Sequence, residues 1–248
     1  MLAIIGGSGL TQLANLVVER REIMRTPYGA PSGAITFGTI HGEPVAFLAR
    51  HGYGHTIPPH KVNYRANMWA LAQHEVKYIV AVASVGGIRS DLTPGTLAIP
   101  DQIIDYTYGR EFTYFHGTDR SVVHVDFTLP YCEALRERLI RAAAQAGEVV
   151  RVGGTYATTQ GPRLESAAEI TRLERDGADM VGMTGMPEAA LARELGLCYA
   201  AVAVVVNYAA GKADSATGIN LADINAVSPG AIARVHRIFD HLVKLDGR

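Results

Sequence analysis

The side chains in this sequence that could do chemistry recur at one kind of place, just past a run of apolar residues. Ser8 follows Leu2 to Ile5, and Arg50-His51 follows Glu43 to Leu48. Ser84 follows Tyr78 to Ala83, Thr184 closes Met180 to Thr184, and Asn207 ends an unbroken apolar run that begins near Leu197. Hydroxyls, an imidazole and a guanidinium make an anion-binding set, because Arg offers a fixed fork of donors to phosphate. Asn207 adds an amide that both donates and accepts. Glu165 adds a carboxylate, held on a rigid approach by the Ser166/Glu169 capping box that follows it. Phosphate plus a hydrogen-bonding heterocycle is the natural ligand pair for such a group. Each residue also has a plainer reading: Asn207 as a turn former, Arg50 as a surface ion pair, Glu165 as a solvated carboxylate near a helix dipole. Their recurrence at strand ends is what favours a site.

The elements that must position them are those of an α/β chain. Apolar runs without polar alternation read as strands buried on both faces, and ligands of open α/β sheets gather outside the carboxyl ends of such strands. If the strands lie parallel in one sheet, all five positions meet at one edge. Gly33 to Ile40 and Glu43 to Leu48 read as a hairpin, Leu97 to Ile104 as a strand pair or bent strand around Pro100, and Val149 to Thr158 as a strand. Helices are expected over Asn63 to His74, Tyr131 to Ala146 (closed by Gly147), Ser166 to Asp176 and Glu188 to Leu195 after Pro187. A last helix is expected from Ser228 as N-cap and Pro229 as N1 through Leu242. Tyr106 to Val125 is aromatic, polar and aperiodic, which suits a lid, binding loop or subunit contact. Gly6-Gly7-Ser8-Gly9 brings backbone amides near an anion, but the third small residue of a dinucleotide fingerprint falls on Gln12. His55 and His60 read as satisfied loop residues.

The composition narrows the classes. The 248 residues are 48% hydrophobic and 19% charged with formal net charge −1, an ordinary globular balance without the basic patch of a nucleic-acid binder. No repeat, linker or low-complexity tract divides the chain, so one domain over residues 1–248 is expected. Cys132 and Cys198 lack metal-like spacing and read as reduced thiols of a cytoplasmic protein. The N-terminus has no basic stretch before its apolar residues, and no apolar run is long enough to cross a bilayer, so neither a signal peptide nor a membrane partner is expected.

Gly6-Gly7-Ser8-Gly9-Leu10, Ala49-Arg50-His51-Gly52, Lys61-Val62-Asn63-Tyr64-Arg65-Ala66-Asn67, Gly161-Pro162-Arg163, Met183-Thr184 and Pro187-Glu188 closely resemble the methylthioadenosine phosphorylases of the trimeric purine nucleoside phosphorylase superfamily. The resemblance runs from about residue 3 to about residue 240. It implies a single-domain nucleoside phosphorylase fold, with a mixed central sheet flanked by helices, assembled as a homotrimer. It also implies pentosyl transfer to inorganic phosphate as co-substrate, without metal or organic cofactor. Ser8, Arg50, His51, Thr184 and the backbone at Ser84 would hold phosphate, Met183 would lie beneath the ribose, and Leu164 would border the base. Two departures alter the substrate. Family members that take 6-aminopurines carry Asp where this chain has Asn207, and a second Asp where it has Ala209. The 6-oxopurine branch carries Asn and Glu at the positions of Asn207 and Glu165. An ionised Glu165 accepts only, which suits the N1–H of hypoxanthine and repels the N1 lone pair of adenine, while Asn207 serves N7 and O6. A mismatch there can cost a factor of roughly 10⁴. Ile219, Leu221 and Ile224 resemble the residues that receive a 5′-methylthio group, with core packing as their plainer reading. His124 resembles a residue supplied by a neighbouring subunit. The expected reaction is therefore phosphorolysis of 5′-methylthioinosine, with Asn207, Glu165 and His51 as catalytic residues. Alternatives are a methylthioadenosine phosphorylase, a general 6-oxopurine nucleoside phosphorylase, and a purine or phosphate sensor without turnover.

Overall fold

The computed structural model describes residues 1–117 and 121–245, the side chain of Asp223 excepted. The strands are β1 (Leu2–Gly6), β2 (Val17–Glu22), β3 (Ile35–Ile40), β4 (Glu43–Ala49), β5 (Tyr78–Gly87), β6 (Leu97–Ile99), β7 (Gln102–Asp105), β8 (Val150–Val152), β9 (Thr155–Thr158), β10 (Met180–Gly182) and β11 (Cys198–Tyr208). The helices are α1 (Tyr64–Ala72), α2 (Glu133–Gln145), α3 (Ala167–Arg175), α4 (Glu188–Glu194) and α5 (Leu221–Leu242). The strands form one mixed sheet in the order β2-β3-β4-β1-β5-β10-β9-β7, and β11 pairs with β5 and β6. This is the mixed α/β architecture that the sequence predicts.

Successive side chains on a strand face opposite ways, and here both faces are apolar. Leu2 and Ile4 of β1, Val80 of β5 and Val202 of β11 pack with Leu135 and Leu139 of α2 and with Val235 and Phe239 of α5. Their neighbours Ala3, Ile5, Ile79 and Ala201 pack with Met68 and Leu71 of α1 and Leu191 of α4. Helices therefore cover both faces of the central strands, which is why those strands are continuously apolar.

Three expectations are corrected and one strand is added. Val149 to Thr158 is two strands, broken at Gly153-Gly154, both with positive φ. Strand β2, at the sheet edge, is an addition. Helix α5 starts at Leu221 under an Asn220 cap whose side chain accepts from the Ala222 amide, so Pro229 lies inside the helix instead of opening it. Cys132 and Cys198 form a disulfide, with Cα atoms 5.1 Å apart, and are not reduced thiols.

Candidate active site

The site is built at a place where the sheet is left unzipped. Along one edge β5 pairs with β11 for its whole length, parallel throughout. Along its other edge it pairs with β1 only over residues 78–81, and β10 joins antiparallel at Gly86 and Gly87. Between those pairings the edge of β5 faces a cavity of about 1060 Å³ lined by Ala83, Ser84, Val85 and Gly86. Val82 turns its carbonyl to this edge, where Arg50 donates to it at 2.9 Å. Hydrogen-bonding direction alternates along a strand, so Ser84, two residues on, turns its own N–H and C=O to the same edge. The Ser84 hydroxyl is already directed to the Ser8 carbonyl at 3.3 Å, which leaves the backbone as what Ser84 offers.

The expectation that all five strand ends lie parallel is corrected at one of them. Strand β10 is antiparallel to β5. It runs back from the tip of β5, so Thr184 still reaches the cavity that Ser8, Arg50, Ser84 and Asn207 line. Thr184 is buried, and its amide donates to the Tyr156 hydroxyl at 3.4 Å.

Arg50 is 1% exposed and paired with Glu188, which is fully buried. Its Nε–H and an Nη2–H donate to the two Glu188 oxygens at 2.7 and 2.8 Å, and the Tyr199 hydroxyl donates to the same carboxylate at 2.9 Å. Burial acts against the guanidinium charge, and the Glu188 carboxylate more than offsets it, holding the Arg50 pKa above its ordinary value. Of the five N–H donors on Arg, three are spent on Glu188 and Val82, leaving two for a ligand. Gly7 is required beside it: an added Cβ there would stand 2.5 Å from the Val82 carbonyl oxygen and 3.0 Å from Arg50 Nη1.

His51 has Nδ1 2.8 Å from the Ile57 carbonyl. Only a donor can face a carbonyl oxygen there, so in the neutral ring Nδ1 carries the proton and Nε2 is an acceptor. Burial, assisted by the neighbouring Arg50 cation, lowers the His51 pKa to about 4, which makes the neutral ring the form at pH 7. His55, expected as a satisfied loop residue, has a partner in the Ser8 hydroxyl, 3.5 Å from its Nε2, and it also lines the cavity, its ring centroid 4.9 Å from that of His51.

Glu165, Leu164, Asn207 and Met183 all line the same cavity. The capping box after Glu165 is present, with Ser166 accepting from the Glu169 amide and Glu169 accepting from the Ser166 amide. Glu165 Oε1 accepts from the Thr159 hydroxyl at 2.6 Å. Asn207 donates one amide hydrogen to the Tyr208 carbonyl at 2.6 Å. That contact identifies the nitrogen and leaves Oδ1 and one N–H available. Gly161 has φ +60, and a Cβ on it would lie 2.4 Å from Met183 Sδ, so glycine there is what lets Met183 occupy the cavity wall.

At the far end Ile219, Leu221 and Ile224 line the cavity together with Ile232 and His236 of α5. Leu221 is 65% exposed and so is not core. His236 has a buried Nδ1 with no hydrogen-bond partner among the described residues. His124 is exposed and does not line the cavity of its own chain. Residues 118–120 of the same aperiodic stretch lie outside the described residues.

Sequence reasoning missed the residues that hold this site without touching its interior. Glu188 enters the sequence reading only as a helix start and within the Pro187-Glu188 motif, with no role attached. Arg110 sits in an aperiodic segment with no signal, yet it is buried and donates to the carbonyls of Met183 (2.8 Å), Met186 (2.6 Å) and Gln160 (2.9 Å). It thereby ties the loop that carries Glu165 to the loop that carries Thr184. Among the described residues, no group of three or more His, Cys, Asp or Glu is arranged to hold a metal ion, and no helix is long and apolar enough to cross a membrane.

Residues 1–244 match the phosphorylase superfamily. A probable S-methyl-5′-thioinosine phosphorylase of Pseudomonas syringae is 54% identical over 94% of each chain. A 6-oxopurine nucleoside phosphorylase of Pyrococcus furiosus is 50% identical over 85% of this chain and 80% of its own. Among solved structures, methylthioadenosine phosphorylase of Schistosoma mansoni with adenine superposes with a TM-score of 0.94 at 32% identity, covering 99% of this chain and 91% of that one.

Proposed function

Because the chain belongs to the phosphorylase superfamily, we propose that it is a pentosyltransferase cleaving 6-oxopurine nucleosides with phosphate, 5′-methylthioinosine foremost. The products are hypoxanthine and 5-methylthioribose 1-phosphate. The observation that carries this reading is that an acceptor-only carboxylate, Glu165, and a two-faced amide, Asn207, line one cavity with Arg50, Ser8 and Thr184.

The mechanism follows from the donors that remain. Phosphate sits against the open edge of β5, taking the two uncommitted N–H groups of Arg50, the Ser8 and Thr184 hydroxyls and the backbone at Ser84. His51 Nε2, a lone pair, accepts from a protonated phosphate oxygen or a ribose hydroxyl. The phosphate oxygen bonds to C1′ as the C1′–N9 bond breaks, and that bonding pair passes into the purine. A proton from solvent reaches N7 as the base departs; Asn207 Oδ1 accepts from the N7–H so formed while its free N–H donates to O6, and Glu165 accepts from N1–H. The N–H donation to O6 strengthens as negative charge builds on the departing base, and the N7–H contact exists only once N7 is protonated. The Asn207 contacts therefore lower the barrier, while the Glu165 contact orients the purine. Phosphate is a co-substrate, and the proposal includes no metal or organic cofactor.

The 5′ end favours a methylthio group through Ile219, Leu221 and Ile224. One observation favours a second reading, a general 6-oxopurine nucleoside phosphorylase: His236 lines the cavity with Ile224 and Ile232, where it would meet a 5′-hydroxyl. We further propose a homotrimer in which His124 acts on the neighbouring subunit's cavity. The segment that carries it exposes Tyr108, Phe112 and Val122, an apolar surface suited to a second copy. A cytoplasmic location loses the support of reduced thiols and rests on the substrates alone. The test is kcat/KM for 5′-methylthioinosine, 5′-methylthioadenosine and inosine on one preparation. Methylthioinosine should lead; a methylthioadenosine lead would overturn the base assignment, and an inosine lead would select the second reading.

A further inference from the structure

We infer that Thr159 is a positioning residue that sets base specificity by pinning Glu165, an inference that rests on the proposed contact between Glu165 and the purine. Thr159 is itself fixed by its backbone. Its N–H donates to the Gly182 carbonyl of β10 at 2.8 Å, and its carbonyl accepts from Arg110 Nη2 at 3.2 Å. As a β-branched residue it has few χ1 choices once the backbone is set. The hydroxyl carries a single proton and has two acceptors in reach, Glu165 Oε1 at 2.6 Å and the Gly182 carbonyl at 3.3 Å. The shorter contact is the charge-assisted one, and such bonds are about twice as strong as neutral ones.

Glu165 needs this bond. Among the described residues, the Thr159 hydroxyl is the hydrogen-bond partner of its carboxylate, and no Lys or Arg pairs with it. Arg163, two residues back in sequence, feels the Glu165 charge but makes its carboxylate hydrogen bonds to Glu169, at 2.7 and 2.8 Å. Glu165 also forms part of the wall of a second cavity, of about 280 Å³, lined by Tyr106, Tyr108, Gln160 and Thr159. The side chain therefore has room on both sides, and Thr159 lies on the second. With Oε1 held by Thr159, Oε2 is the oxygen left to accept from an N1–H in the larger cavity. Without the hydroxyl, the carboxylate is free to turn away from the base. The loss falls on 6-oxopurines, which use the Glu165 acceptor, and spares 6-aminopurines, which do not.

The test uses the full chain with Thr159→Val, Thr159→Ala, Thr159→Ser, Glu165→Ala and the double variant Thr159→Val/Glu165→Ala. Each is assayed for kcat/KM on 5′-methylthioinosine and 5′-methylthioadenosine, with thermal unfolding as the check on folding. Thr159→Val should lower the methylthioinosine value by roughly 10- to 100-fold, the range for one lost hydrogen bond to a charge, and leave methylthioadenosine within a few-fold. Thr159→Ser should restore most of the loss, and Thr159→Val should add little once Glu165 is already Ala. If the valine variant does not fold, Thr159→Ala carries the same expectation. An equal loss on both substrates, or additive effects in the double variant, would overturn the inference. A specificity change in Glu165→Ala without one in either Thr159 variant would sink it alone. No specificity change in Glu165→Ala would remove the base reading and this inference with it.

Discussion

The two ends of the cavity are built on opposite principles. At the proposed phosphate end Arg50, Glu188 and Thr184 are buried, each is tied to a strand or helix of the core, and donors are committed in advance. At the other end Leu221 and Leu164 are 65% and 40% exposed, on a helix start and a loop, and Glu165 is held by one hydroxyl. The first end cannot change without unfolding something; the second can change residue by residue. That contrast fits relatives that keep phosphorolysis while their names divide between methylthioinosine, 6-oxopurine and methylthioadenosine substrates.

The largest expected effect lies at the adaptable end. Asn207→Asp combined with Glu165→Ser should shift the methylthioinosine to methylthioadenosine ratio of kcat/KM toward the aminopurine by roughly 10³-fold, the scale on which buried polar mismatches act. If the ratio stays put while activity falls, the base contacts are misplaced and the contrast fails. Next comes Glu188→Ala, which leaves the Arg50 charge buried and unpaired. Denaturant unfolding should show a loss of about 3–5 kcal/mol, and turnover should fall alike on every nucleoside. A substrate-selective loss would mean that the rigid end also discriminates.

Acid should act at the rigid end too. His51 is lowered to about 4 by burial and Arg50, against an ordinary value near 6.5. Between those values the unfolded chain binds the proton that the folded chain refuses, so stability falls as pH drops from about 6.5 to about 4, by a few kcal/mol. His51→Gln should flatten that slope in urea titrations across the same window, and an unchanged slope would place the acid sensitivity elsewhere. The smallest effect is expected from Leu221→Ala. It should raise KM for methylthioinosine about 10-fold, as for the loss of a small apolar contact, and leave inosine almost unchanged. Equal changes on both would return Leu221 to plain packing.

The central strands, and the convergence of Ser8, Arg50, Ser84, Thr184 and Asn207 on one cavity, were legible in the sequence because burial on both faces and strand-end position leave a local mark. Other parts leave none. Strand β2, Val-Val-Glu-Arg-Arg-Glu, is mostly exposed at the sheet edge and has no apolar alternation to betray it. Pro229 fits a helix start by itself, and the Asn220 cap eight residues ahead of Ser228 outweighs that local signal. The disulfide joins cysteines 66 positions apart, brought together where the Cys132 amide donates to the Tyr199 carbonyl; the spacing alone says nothing of that. Arg110 and Thr159 act through carbonyls and a single carboxylate, and partners of that kind appear only in three dimensions.

The interrupted edge of β5 carries a consequence for how this chain can evolve. The proposed anion seat, made partly of main chain, is carried by every residue type except proline, so drift at position 84 erases little. On that proposal, ancestral copies exchange one nucleoside for another by altering loop side chains while the anion-binding floor persists underneath. Proline at Ser84 is the single replacement there that would remove the floor's N–H outright.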